Sequence, residues 1–239
     1  MTRREYLTLL ISAVVLTVVA LLVITLESQF AFPTLPSGST TMSRLLTDPF
    51  LQLPTANSAR VVWFTEFPGQ AHTVYYSAQP GARWGDNALT VPATTRLLTR
   101  LQEDQASNLP SGETLAAPTP RLIWRHEADI TGLQPGQHLP YRVESVTDTG
   151  EVLSSEVFTL AAAPAAGQPL KILLTSDHQS KPMTAANLQK VEETVGAVDA
   201  VFVAGDLVNV PDRASEWFDD AAGAAFFPAL QGRANYQLG

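Results

Sequence analysis

Two aspartates are placed where carboxylates can do chemistry together. Asp177 follows the apolar run L-K-I-L-L-T at residues 170–175, and Asp206 follows A-V-F-V-A at residues 200–204 and Gly205. Carboxylates brought to one edge repel each other unless positive charge lies between them. A divalent ion, or a pair of ions, resolves that repulsion, because hard cations take oxygen ligands. A lone Asp after a strand can equally cap a turn or close a loop, and a G-D dipeptide says little by itself. The stronger signal is the order of the set: strand, Asp177-His178-Gln179, helix, strand, Gly205-Asp206.

That order needs a β-α-β unit. Residues 170–175 and 200–204 have the short apolar character of buried strands. Between them Thr184 is suited to N-cap a helix that carries Leu188, Val191 and Val195 on one face and stops at Gly196. The strands should then be parallel, joined by a right-handed crossover, with both aspartates just past their carboxyl ends, where ligand sites of open α/β sheets collect. One β-α-β unit and a further helix cannot cover both faces of a parallel sheet, so apolar strand faces are expected to stay wet.

Before this unit the grammar is different. Residues 60–65 (R-V-V-W-F-T) and 71–77 (A-H-T-V-Y-Y-S) are β-branched and aromatic, with a turn at Glu66-Phe67-Pro68-Gly69. Residues 122–130, 140–146 and 154–160 continue the series, punctuated by Gly136 and the Asp148-Thr149-Gly150 turn. This predicts an antiparallel sandwich, with residues 103–119 as a long inserted loop and A-A-A-P-A-A-G-Q-P at 161–169 as the closing linker.

Composition narrows the function class. The 239 residues are 45% hydrophobic and 16% charged, which excludes a disordered tail, a collagen repeat and a coiled coil. Fifteen basic against 23 acidic side chains leave a net charge of −8, contrary to the basic footprint of a nucleic-acid binder. The absence of cysteine excludes disulfides and thiolate catalysis. Residues 6–26 carry no charge, follow Arg3 and Arg4, and precede Glu27. At about 1.5 Å per residue the run crosses a hydrocarbon core of about 30 Å. The positive-inside rule then keeps the N-terminus cytoplasmic and exports the rest to the periplasmic or extracellular side. Glu27-Ser28-Gln29-Phe30 is a poor cleavage site, which favours a signal-anchor. The expected organisation is a transmembrane anchor at 1–30, a Pro/Ser/Thr-rich tether at 31–45, the sandwich at 46–162 and the α/β part at 163–239.

The α/β part resembles the start of the calcineurin-like metallophosphoesterase fold, whose first metal motif is D-x-H, D-x-G or D-x-Q and whose second is G-D-x-x. The sandwich resembles the fibronectin-III-like N-terminal module of purple acid phosphatases. It opens Asp48-Pro49-Phe50-Leu51-Gln52-Leu53-Pro54 and closes with Thr131-Gly132-Leu133-Gln134-Pro135-Gly136 and Pro140-Tyr141-Arg142-Val143. Together the two likenesses cover roughly residues 46–239. The resemblance implies a hydrolase acting on phosphate esters through two divalent or trivalent metal ions. Asp177 would ligate one ion, Asp206 would bridge two, and the amide oxygen of Gln179 would take the place of the family's His. His178 would be a group behind the ligands or one facing substrate.

The sequence departs from the family in two respects. Purple acid phosphatases carry an iron-binding Tyr three residues after the second-motif Asp; Asn209 stands here, so the purple chromophore is not expected. The later G-N-H-[DE] motif and two further histidine motifs are missing, and no His follows His178. The chain is therefore expected to be a fragment of a longer enzyme, inactive alone. The alternative is a non-catalytic anchored surface protein that uses the sandwich as a binding module. A nucleotide-binding domain is excluded, since neither phosphate-loop pattern follows Thr175 or Ala204.

Other residues with chemical potential read as structure. His72, His126 and His138 are expected to be exposed or locally hydrogen-bonded. Trp63, Phe64, Tyr75 and Tyr76 are expected to pack on sheet faces, and Arg96, Arg100 and Arg125 to be solvated. Glu216, Asp219 and Asp220 are placed on a helix after the second motif, without a His to make them a metal site.

Overall fold

The structure, a computed structural model, describes residues 44–79 and 88–232. The expected anchor and nearly all of the tether lie outside the described residues. Among the described residues no helix is long and apolar enough to cross a membrane.

Two antiparallel sheets form a sandwich. The first has the order β1 (Phe50–Gln52), β2 (Ser58–Thr65), β8 (Ile123–Thr131), β5 (Thr94–Leu98). The second has the order β10 (Val152–Ser154), β9 (His138–Val146), β3 (Ala71–Ser77), β4 (Ala88–Pro92), with β11 (Phe158–Ala161) also pairing with β9. The chain changes sheets between β4 and β5 at Ala93, whose N–H donates to the His72 carbonyl at 2.8 Å. Neither β4 nor β5 is evident in the sequence: they are short and mostly exposed, so they lack an apolar stripe. Val61, Trp63, Val74, Ile130, Tyr141 and Val143 fill the space between the sheets.

Strand β2 has a second apolar face. Val62 and Phe64 point away from the sandwich core into another cluster with Leu46, Ile123, Ala214 and Phe218. The latter two belong to α2 (Ala214–Phe218), which packs with α3 (Phe226–Leu230). Aromatic rings dominate this cluster: Phe64 lies 5.2 Å from Phe218 and 5.3 Å from Phe227, centroid to centroid. The helices cover only part of the sheet. Further along the same face Arg60 donates to Asp129 at 2.7 Å, and Arg125 donates to Glu127 at 2.9 Å. Charge on this face begins where the helical cover ends, as solvation of charged groups demands.

The inserted segment is not a free loop. Its ends pair as β6 (Gln102–Glu103) and β7 (Thr119–Pro120), and Glu103 is buried against α2 by accepting from Ser215 Oγ at 2.8 Å. Beyond the sandwich, β12 (Ile172–Thr175) and β13 (Ala200–Val203) pair in parallel and are joined by α1 (Thr184–Val195). Thr184 is not the N-cap of α1. Met183 holds that position, and the Thr184 hydroxyl, inside the first turn, donates to the His178 carbonyl at 3.2 Å. Gly196 ends the helix as expected, its N–H donating to Glu192 O. The strand faces are wet: Leu174 is 71% and Phe202 57% exposed.

His72 and His126 are both buried, stacked with ring centroids 3.6 Å apart, and locally hydrogen-bonded. Trp63 Nε1–H donates to Ser145 Oγ at 3.0 Å, and because His72 Nε2 must donate to a carbonyl, the Ser145 hydroxyl donates to His72 Nδ1 at 2.8 Å. His72 Nε2–H then donates to the Pro68 carbonyl at 2.6 Å. Similarly, the Thr65 hydroxyl donates to Phe67 O, which leaves it to accept from His126 Nε2–H at 2.8 Å. Thr95 closes the set on His126 Nδ1 at 2.9 Å. Each ring has one accepting nitrogen already filled, and a proton there would charge a buried ring beside another. Gly69 completes this corner, because a Cβ there would lie 2.5 Å from Val146 O and 2.8 Å from His72 Nε2.

Burial, with the neighbouring His72 ring, pushes the His126 imidazole down to about 3, and burial lowers His72 as well. Both rings are neutral in the fold and gain protons on unfolding. Stability contributed by the neutrality of His126 is present above the ordinary imidazole value of 6.5 and is lost as pH falls from there towards about 3, and His72 acts in the same direction. Urea unfolding followed from about pH 7 to about pH 4 should show a slope for His126 of up to about 1.4 kcal/mol per pH unit. His126→Gln should flatten that slope; an unchanged slope contradicts the buried neutral pair.

Candidate active site

The loops that follow β12 and β13 are laced together by their backbones. Asp177 N–H donates to Gly205 O at 3.4 Å, and Gln179 N–H donates to Asp206 O at 3.2 Å and Leu207 O at 3.0 Å. Asn209 Nδ2 adds a bond to Gln179 O at 2.8 Å. The structure thus brings Asp177, Gln179 and Asp206 to one end of the parallel pair, with both aspartates exposed.

This lacing imposes an unusual backbone. Among the described residues five non-glycines have positive φ, and four of them are Asp177 (57°), Gln179 (41°), Ser180 (52°) and Asp206 (51°). Asp tolerates this region better than most residues because its short polar side chain bonds locally; Ser176 Oγ donates to Asp177 Oδ2 in this way. Gly205, at φ 112°, is in a conformation side chains rarely adopt. Sparsely populated backbone concentrated at a strand edge is characteristic of functional loops.

His178 points inward. It is buried, its ring centroid lies 5.7 Å from that of Phe226, and Nε2 shares a hydrogen bond with Thr175 Oγ1 at 3.1 Å. The residue is 4% exposed and lines a cleft with Asp177. Its Nδ1 is buried without a hydrogen-bond partner, and burial holds the imidazole below its ordinary value. The cleft between β12 and α1, about 570 Å³, is mainly apolar, with Leu174, Leu188 and Val191 in its lining and Asp177 and Lys181 as charged members.

Two carboxylates and an amide oxygen suit hard cations. Among the described residues no group of three or more His, Cys, Asp or Glu is placed to hold a metal.

The carboxylates after the second motif have other partners. Glu216 is buried, and its Oε2 accepts from the backbone N–H groups of Asn209 at 2.6 Å and Val210 at 3.2 Å. Asp219 is bidentate to Arg121, both bonds at 2.7 Å, and Asp220 accepts from Asn108 at 3.2 Å. Arg121 also meets Glu66 at 2.8 Å and Glu103 at 3.0 Å. Burial works against its charge, yet the surrounding carboxylates outweigh burial and raise its pKa above the ordinary guanidinium value. Arg125 and Arg100 are likewise ion-paired, with Glu127 and Asp212. The Arg121–Asp219 and Arg100–Asp212 pairs were hidden in the sequence because their partners lie far apart along the chain.

Comparison with known proteins agrees with this architecture. The family model described as Purple acid Phosphatase, N-terminal domain matches residues 47–161. The solved purple acid phosphatase PPD1 from yellow lupin (Lupinus luteus) seeds aligns with a TM-score of 0.53 at 19% identity, covering 78% of this chain and 33% of that one. The likeness in fold therefore runs past the sandwich, and the chain spans about a third of the length of the lupin protein. Astrotactin-2, a vertebrate-specific perforin-like membrane protein, aligns at a TM-score of 0.31 and 14% identity over 62% of this chain and 26% of its own. A human FNIII domain aligns at a TM-score of 0.28 and 13% identity over 58% and 97%. No curated protein matches the chain. Residues 47–161 form a domain of the purple acid phosphatase N-terminal type.

Proposed function

We propose that this chain carries the sandwich and the first two metal-binding loops of a metal-dependent phosphoesterase. Residues 1–30 hold it at a membrane, with its bulk on the extracytoplasmic side. The observation that carries the reading is the backbone lacing of the Asp177 and Asp206 loops at the carboxyl edge of β12 and β13. The family match at residues 47–161 supports the same class. The uncharged run at residues 6–26 behind Arg3 and Arg4 supports the anchor.

Metal ions held at such an edge supply an activated water and stabilise the charge that develops on a phosphate ester. The chain's own part is to hold and orient. Asp177 and Asp206 would present their carboxylates to the ions. Gln179 would offer a neutral amide oxygen, which leaves the charge of the site as a neutral imidazole ligand would. His178 sits behind the loop, fixed by Thr175 and Phe226.

The test is hydrolysis of a generic aryl phosphate by membranes containing the natural gene product that carries these residues. Metal-dependent turnover should fall by about 100-fold or more in Asp206→Ala, since loss of groups merely supporting a ligand already costs about 10- to 100-fold. Turnover that survives both a chelator and Asp206→Ala would contradict the proposal.

A further inference from the structure

The loop that carries Asp206 is held from the sandwich side. Asp104, just beyond β6, accepts two bonds from Arg213 Nη2, both at 3.0 Å. Arg213 Nη1 donates to Glu216 Oε1 at 2.7 Å, and Glu216 Oε2 receives the backbone N–H groups of Asn209 and Val210. Asn209 in turn donates its side-chain amide to Gln179 O. The path from the inserted segment to both candidate loops is therefore continuous, and every link is a hydrogen bond. Two further hydrogen bonds reinforce it: Gln102 N–H donates to Asp212 O at 2.8 Å, and the indole Nε1–H of Trp217 donates to Pro211 O at 2.9 Å.

We infer that Asp104 and Glu216 are positioning residues that set the geometry of the loop carrying Asp206, acting through Arg213 and the backbone of Asn209 and Val210. The inference rests on the phosphoesterase reading only for the purpose of that loop. Glu216 is 4% exposed, and a buried carboxylate needs full pairing to be tolerated. Its pairing is complete only when Arg213 and the two loop amides are in place. Burial works against the Arg213 charge, but Asp104 and Glu216 together hold its pKa above the ordinary value; the bond from Arg213 holds the Asp104 carboxyl below the ordinary range. Charge-assisted bonds to two loop amides narrow the conformations available to residues 206–210. The inserted segment of the sandwich thereby becomes part of the metal-loop scaffold.

The experiment compares Asp104→Asn and Glu216→Gln with Asp129→Asn in the 239-residue chain, the last removing an ion pair on the far part of the sheet face. Amide hydrogen exchange at Gln179, Asn209 and Val210 should quicken by about 10-fold or more in the first two variants. Exchange in β2 should not change. The apparent affinity for Mn²⁺, read from paramagnetic broadening around Asp206, should weaken by about 10-fold or more. Asp129→Asn should do neither. Loop exchange that is unchanged, or that rises only in step with β2, overturns the inference; so does faster loop exchange with unaltered Mn²⁺ affinity. Faster loop exchange in a chain whose wild type shows no Mn²⁺ effect at Asp206 sinks the metal reading while upholding the relay.

Discussion

Strand β2 is buried on both faces over its second half, and most of the molecule's organisation depends on that. Val61 and Trp63 face the other sheet of the sandwich, while Val62 and Phe64 face α2 and α3. An antiparallel sheet of a sandwich usually presents one face to water. Here the outer face is used as a platform, and the helices that follow the second aspartate loop are packed on it through Phe64, Phe218 and Phe227. Phe226 then continues the aromatic contact to His178, beneath the first loop. The position of both candidate loops is thus referred to the sandwich through side-chain packing. The β-α-β unit itself offers little core, its strand faces being largely exposed.

Charge supplies orientation where the aromatic cluster supplies adhesion. Arg121 is shared by Glu66, Glu103 and Asp219, and Arg44 reaches Asp219 as well at 3.0 Å. A buried ion network of this kind contributes modestly to net stability, because desolvation offsets most of the attraction. Its geometric demand is strict, since removing one partner leaves an uncompensated charge. Apolar packing alone would allow α2 to slide along the sheet. Bidentate Arg121–Asp219 and Arg213–Asp104 pairs fix its register. Gln231 adds a backbone-like clamp, accepting from Asp48 N–H at 3.1 Å and donating to Asp48 O at 2.9 Å.

Local features were legible in the sequence and tertiary partnerships were not. The strands with strong β-branched and aromatic character, the turn at Gly150 and the helix stop at Gly196 follow from residue types alone. Trp63 and Phe64 pack on sheet faces as expected, and the four successive apolar residues at 61–64 fit a strand covered on both faces. Thr184 failed as an N-cap because Met183 already has helical dihedrals and the Thr hydroxyl is drawn to His178 O. That Asp177 and Asp206 meet at one strand edge was legible from their places after apolar runs, whereas Gln179 was singled out only by the family resemblance. Glu216 was not legible, since its worth lies in two amides and an arginine that only the folded loop brings to it.

If α2 and α3 share a core with the outer sheet face, Phe64 and Phe218 must be energetically coupled. A double-mutant cycle with Phe64→Leu and Phe218→Leu, read by urea unfolding of the whole chain, measures this coupling while keeping both sites apolar. The shared core predicts an interaction energy of about 0.5–1.5 kcal/mol between the two positions, as for aromatic pairs in contact. Additivity within about 0.3 kcal/mol, the behaviour of independent sites, would contradict it and separate the aspartate loops from the sandwich.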